Sequence, residues 1–188
     1  MKEILESERL ILRKFSLEEI EDILKIFGDE EVNRFLPWFP VKNLDEAREF
    51  FKNRYEDTSD YKYAIYLKEN NIPIGYINIS SNESYDLGYG LLKEYWGNGI
   101  VLEACKILLE SVKDRIPYIT ATHDRENIRS GNVMKKLGMK YCYSYEENWQ
   151  PKNKIVIFRM YQLNFKNNSF IYKKYWDIYP NHFIEDIK

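Results

Sequence analysis

A chain of 188 residues and 22.8 kDa, 44% hydrophobic and 31% charged, is sized for one folded core and excludes a disordered polymer. Lys and Arg number 28 against 30 Asp and Glu, and the net charge of −2 excludes a broad phosphate-binding face for nucleic acid. Two cysteines, Cys105 and Cys142, and two histidines, His123 and His182, each isolated in the chain, exclude a disulfide scaffold and a clustered metal centre.

The N-terminal MKEILESERLILRKF breaks every apolar stretch with charge, unlike a signal or transit peptide. No run approaches the ~18 apolar residues of a membrane span, so the expected location is the cytoplasm, with no membrane partner. Leu10 to Phe15 alternates as a strand does, Leu10 and Leu12 on one face and Ile11, Arg13 and Phe15 on the other. Ser16-Leu17-Glu18-Glu19 reads as a capping box before a helix carrying Ile20, Ile23, Leu24 and Phe27, with a stop at Gly28. The proline-broken, aromatic stretch from Asn33 to Pro40 is a loop, and Asn43 with Glu46 caps a second helix.

Three strand-like runs follow: Tyr63 to Lys68 and Ile72 to Ile79 around the turn Glu69-Asn70-Asn71, then Tyr85 to Leu92. Helical spacing takes over from Ile100 to Val112. Pro117 to Thr122 is a strand, Ser130 to Leu137 a shorter helix, and Lys140 to Tyr145 with Lys154 to Leu163 a closing antiparallel pair. The order β-α-α-β-β-β-α-β-α-β-β predicts an α+β fold, a mixed and mostly antiparallel sheet flanked by helices. Residues 1–164 form the expected domain and 165–188 an aromatic-rich extension. In that extension Ser169 caps an expected short helix with Ile171, Tyr172, Tyr175, Trp176 and Tyr179 on its apolar face. Its aromatic density calls for docking, on its own domain or on a mate in a homodimer.

The chemically informative stretch is Tyr85 to Ala104, YDLGYGLLKEYWGNGIVLEA, in which a strand gives way to Gly97 and Gly99 and at once to a helix. Unpaired amides at a helix start can hold a phosphate, although a tight turn with no ligand has the same spelling. Trp96-Gly97-Asn98-Gly99-Ile100-Val101 resembles the acetyl-CoA pyrophosphate loop of the GNAT acetyltransferase superfamily. Trp96 stands where Gln or Arg is usual and Val101 where Gly or Ala is usual. The first departure suits the branch resembling the ribosomal-protein N-terminal (serine/alanine) acetyltransferases. Glu8-Arg9-Leu10-Ile11-Leu12-Arg13, Ile74-Gly75-Tyr76-Ile77, Leu87-Gly88-Tyr89, Asn127-Ile128-Arg129-Ser130 and Lys136-Leu137-Gly138-Met139 resemble that branch's other elements in order.

The resemblance implies a sheet splayed between its fourth and fifth strands with acetyl-CoA in the cleft. The pantetheine arm would pair with backbone at Leu91, Leu92 and Lys93. The pyrophosphate would sit on amides of Gly97, Asn98, Gly99, Ile100, Val101 and Leu102, and Asn127 would touch the cofactor from the far side. Asp86 would be the base, unless it is a solvated carboxylate at a strand start. Met134 occupies the position of the superfamily's usual acidic tyrosine, so Ser130 would protonate the leaving thiolate, unless it is only a helix N-cap. Trp38 and Phe39 from the aromatic loop, and Glu146 and Trp149 from a last long loop, would border the acceptor. His123 reads as a solvated loop residue, and Tyr141, Tyr143 and Tyr145 as one face of a strand.

The implied activity is acetyl transfer from acetyl-CoA to a primary amine, a protein N-terminus or a small molecule, by direct attack and with no metal. The alternative is a non-catalytic acyl-CoA-binding or regulatory module.

Overall fold

The computed structural model describes residues 4–56, 61–166 and 169–187. Strands β1 (Leu5–Glu6) and β2 (Leu10–Arg13) lead to the expected capping box, Ser16 and Glu19 satisfying each other's backbone amides ahead of α1 (Ile20–Gly28). Asp29 caps a one-turn α2 (Glu30–Asn33) and Asn43 caps α3 (Leu44–Arg54). The meander β3 (Tyr61–Leu67), β4 (Pro73–Ile79) and β5 (Leu87–Leu91) turns at Asn71, whose φ of 54° suits the left-handed region asparagine tolerates. Then follow α4 (Ile100–Val112), β6 (Tyr118–Asp124), α5 (Ile128–Lys136), β7 (Lys140–Trp149), β8 (Lys154–Asn164), α6 (Lys174–Ile178) and β9 (His182–Phe183).

The strands form two sheets, β1-β2-β3-β4-β5 and β6-β8-β7-β9, antiparallel at every ladder. The sheets meet at a single parallel bridge between Asp86 and Thr120 and diverge beyond it. This is the expected splay; the two-residue β1 moves it to β5 and β6 in chain order. One face of the first sheet buries Leu10, Leu12, Ile77 and Leu87 against Cys105, Leu108 and Val112 of α4. The opposite face buries Tyr66 and Tyr76 against Ile23, Phe27 and Ala47 of α1 and α3. Each such side chain contributes roughly 1.5–3 kcal/mol, so the splay is held open from both sides.

Two local expectations need correction. A bulge between Tyr141 and Tyr143 adds Cys142 to β7, so Tyr141 packs against Tyr161 in the main core while Tyr143 and Tyr145 face the other way. Ser169 caps no helix: α6 starts at Lys174, because Tyr172 is first drawn under the sheet by its amide bond to the Gln162 side chain. The extension packs on its own chain. Tyr179 and Tyr175 stack on Tyr145 at 4.8 and 5.2 Å, β9 pairs with β7, and Glu185 is bound by Arg159 and Ser144.

Candidate active site

The glycine loop is built as a cradle. Gly97 and Gly99 sit at φ 83° and 73°, a region that side chains with a Cβ rarely adopt. A Cβ at Gly97 would meet nothing within 4 Å, so backbone conformation and not crowding demands the glycine. Gly99 is the N-cap of the 13-residue α4 and places no side chain on its first amides, which keep their partial positive charge for a ligand. Arg9, in the turn between β1 and β2, holds the loop: its guanidinium bonds the Asn98 carbonyl (3.1 Å) and Glu103 of α4 (2.7 Å), and Ser7 bonds Glu103 as well. Trp96 turns back, its indole N–H on the Leu91 carbonyl at 2.6 Å, and Arg129 of α5 lies 4.7 Å over its ring.

Gly97, Gly99, Trp96 and Arg129 line a cavity of about 470 Å³ between the β5–α4 junction and α5. Of the expected cofactor residues, Leu91, Gly97, Gly99, Ile100, Val101, Leu102 and Asn127 lie on its wall, with Arg129 and Lys136 supplying positive charge. Three do not. Leu92 is buried in the α1–α3 core and its N–H is spent on the Ile74 carbonyl. Lys93 turns outward toward Glu31 at 3.8 Å, and Asn98 folds its amide onto the Tyr95 carbonyl. The physical reason is strand alternation: Gly88, Gly90 and Leu92 pair inward to β4, so the backbone groups of Leu87, Tyr89 and Leu91 turn to the cleft.

A second cavity of about 650 Å³ opens on the other side of the splay, and the two share Tyr89, Asn127 and Ser130 on a common wall. Asp86 projects into it from the point where the sheets part. Burial pushes its carboxyl from 3.8 up to about 7, although the Thr120 hydroxyl at 3.4 Å favours the charged form. Half-buried and opening on the cavity, it is not a carboxylate standing free in solvent at a strand start. Ser130 is no N-cap either: Asn127 caps α5 through the Ser130 amide, which leaves the serine hydroxyl one turn in. That hydroxyl lies 3.0 Å from the hydroxyl of Tyr89, which also reaches the Ser130 carbonyl at 3.0 Å. Burial raises the Tyr89 phenol, so it stays protonated.

Met134 carries no hydroxyl, and the tyrosine hydroxyl beside Ser130 comes instead from β5. Sequence reading placed Tyr89 in its strand but assigned it no role; alternation with Leu87 and Leu91 was the available signal. His123 is buried on β6 and faces the larger cavity, donating from Nδ1 to the Asp124 carbonyl, with Nε2 against Gly131 of α5. Burial lowers its pKa, so it is neutral.

On the acceptor side Trp38 and Trp149 line the larger cavity, whereas Phe39 points to solvent and Glu146 is tied to Asn181 of the extension. Glu146 and Trp149 belong to β7 and not to a loop, because the β7–β8 ladder runs on to the pair Trp149 and Lys154. The hairpin tip reaches across the cavity mouth, where Lys152 bonds the Asn33 carbonyl at 2.9 Å. Buried Asn33 in turn holds the Trp38 indole at 3.0 Å. Phe35, from the loop expected to border the acceptor, lies on the same wall, as does Arg54, which was not anticipated.

Left-handed glycines with open space before them, uncapped helix amides and two cations fit a pyrophosphate, so the smaller cavity suits the cofactor expected from the sequence. Among the described residues no helix is long and apolar enough to cross a membrane. Residues 9–140 match the family model described as an acetyltransferase (GNAT) domain. The uncharacterised N-acetyltransferase YnaD of Bacillus subtilis is 27% identical over 139 residues, covering 71% of this chain and 81% of its own. A GNAT-family acetyltransferase from Bacillus anthracis superposes with a TM-score of 0.75 at 24% identity, over 86% of this chain and 98% of its own. RimL, a ribosomal α-N-protein acetyltransferase solved with coenzyme A, superposes with a TM-score of 0.75 at 18% identity, again over 86% and 98%.

Proposed function

The chain belongs to the GNAT acetyltransferase family and is an acetyl-CoA-dependent acetyltransferase, and on that footing we propose that it acetylates a primary amine by direct attack, with residues 1–164 as the catalytic domain and 165–188 as a structural extension. Acetyl-CoA supplies the activated acetyl group as a thioester. The observation that carries the reading is the common wall: a carboxyl poised near neutrality opens on one cavity, and a hydroxyl pair stands between that cavity and the glycine cradle.

In this reading the amides of Gly97 and of Gly99 to Leu102, the Leu91 backbone and Asn127 hold the cofactor. Asp86 accepts the proton that the amine sheds, at its carboxylate oxygen. The outward Leu91 N–H is aimed where negative charge develops on the carbonyl oxygen. The Ser130 hydroxyl gives its proton to the departing sulfur while taking one from the Tyr89 hydroxyl at hydrogen-bond distance, and Tyr89, whose phenol burial keeps protonated, regains its proton from solvent through the cavity. Neutral His123 props α5 beneath Ser130, and Trp38 and Trp149 flank the acceptor. The neighbour RimL is named for a protein N-terminus, so a peptide amine and a small-molecule amine are both within the proposal.

The test is incubation with acetyl-CoA and a panel of peptides and small amines, scoring free thiol and acetylated product together. Product on nitrogen with matching thiol release is expected. Coenzyme A binding without turnover on any amine would favour the non-catalytic acyl-CoA-binding alternative.

A further inference from the structure

We propose that the acceptor carries a carboxylate beside its amine and that Arg54 receives it, so that the substrate is a small zwitterionic amino compound of the amino-acid class. The inference rests on the reading of the larger cavity as the acceptor site.

Arg54 is the last residue of α3, and its guanidinium faces that cavity. It lies 3.9 Å from the centroid of Trp38 and 5.2 Å from that of Phe50. Trp38 is itself fixed by its indole bond to Asn33 and by packing on Phe50 at 5.7 Å. Aromatic faces therefore set the position of this cation, and no acid does. Among the described residues Arg9, Arg13, Arg48 and Arg159 each pair with a carboxylate, whereas none pairs with Arg54. Stacking covers one plane of the guanidinium and leaves its N–H edge to form a bidentate fork with a planar anion.

The acids of the cavity do not neutralise it. Asp124 is 3.6 Å from Lys154 and accepts the Glu126 amide, and Asp86 is held largely protonated below neutrality. A polyamine would set its second ammonium against the Arg54 guanidinium. A zwitterion satisfies both ends, its amine at Asp86 and its carboxylate at Arg54. A volume of about 650 Å³ suits an amino acid with an apolar side chain against Trp149 and Phe158.

The test uses the full chain with coenzyme A present and measures binding by isothermal titration calorimetry. The probes are N-acetylated apolar amino acids, namely acetylphenylalanine and acetylleucine, against their uncharged amides. The acids should bind roughly 10- to 100-fold more tightly than the amides, as expected for one charge-assisted contact. Arg54→Gln should abolish this preference, Arg54→Lys should restore part of it, and both variants should keep the wild-type thermal shift with coenzyme A. Equal affinity for acid and amide, an intact preference in Arg54→Gln, or no binding of either acid at millimolar concentration would overturn the proposal. Binding is read without turnover, so a dead catalytic step with a preserved acid preference would count against the proposed chemistry and not against Arg54.

Discussion

Replacing Asp86 by Asn preserves shape and removes an ionisation, which makes it the sharpest probe of the chemistry. A positioned general base contributes typically about 100- to 10,000-fold, and turnover of the variant at pH 8 should fall within that range. Burial lifts the Asp86 carboxyl to about 7, so kcat/KM of the wild type should climb through about pH 7 and level above it. The Asn variant should lack that limb, and the gap should narrow again at high pH, where the amine loses its proton unaided.

The same shift fixes the sign of a stability change. Folded Asp86 keeps its proton up to about pH 7, whereas the unfolded carboxyl loses it near 3.9. Between those values the unfolded state binds fewer protons, so stability falls as pH rises through the window. About three pK units correspond to about 4 kcal/mol, and solvent reaching the carboxyl from the cavity reduces this to about 2 kcal/mol. Above pH 7 the Asn variant should therefore melt about 4–8 °C higher than the wild type if the full 2 kcal/mol is recovered. Thiol release across pH 5 to 10 and melting in the same buffers are the assays. A limb near pH 7 that survives in the variant, together with melting curves that run parallel, would refute the assignment.

Gly99→Glu should abolish the melting shift given by coenzyme A, which for the wild type is worth ~2.7 kcal/mol at a hundredfold excess over Kd, because it sets a carboxylate and a strained Cβ at the α4 N-terminus; Asn98→Ala should keep the shift, since the Asn98 side chain turns away to Tyr95, and thermal melts with and without ligand read both. Ser130→Ala and Tyr89→Phe should each lower kcat by about 10- to 100-fold with the pH 7 limb intact, and the double variant should be little worse than the poorer single one, as for residues acting as a unit; wild-type rates in both single variants would remove the relay. Deleting residues 169–188 should cost roughly 3–5 kcal/mol in urea unfolding, since it strips Tyr172, Tyr175 and Trp176 from the face of β7 and β8; a loss under about 1 kcal/mol would mean that the extension contributes little to the fold.

Local patterns in the chain were enough to determine the elements whose causes are local. The box at Ser16, the cap at Asn43, the turn at Asn71 and the start of α4 after Gly99 depend on residues within four positions of one another. The glycine cradle was legible for the same reason, because a left-handed φ is a property of one residue. Asp86 and Ser130 were legible as positions in a resembling motif. Their environments were not: the raised carboxyl follows from burial of Asp86 where the two sheets meet, which outweighs the opposing Thr120 hydrogen bond, and the partner of Ser130 lies 41 residues away on β5. Period-two alternation could separate Leu91 from Leu92 but could not say which faced the cleft, since that depends on which side β4 pairs. The bulge at Cys142 and the extension of β7 through Glu146 to Trp149 were decided by the partner strand β8. Arg54 shows the limit most clearly, for an arginine at a helix end looks like any other until the fold withholds a carboxylate and sets Trp38 against it. Sequence determines what the backbone does next to itself; only tertiary structure decides which charges meet, because pairing and desolvation depend on distances the chain order does not contain.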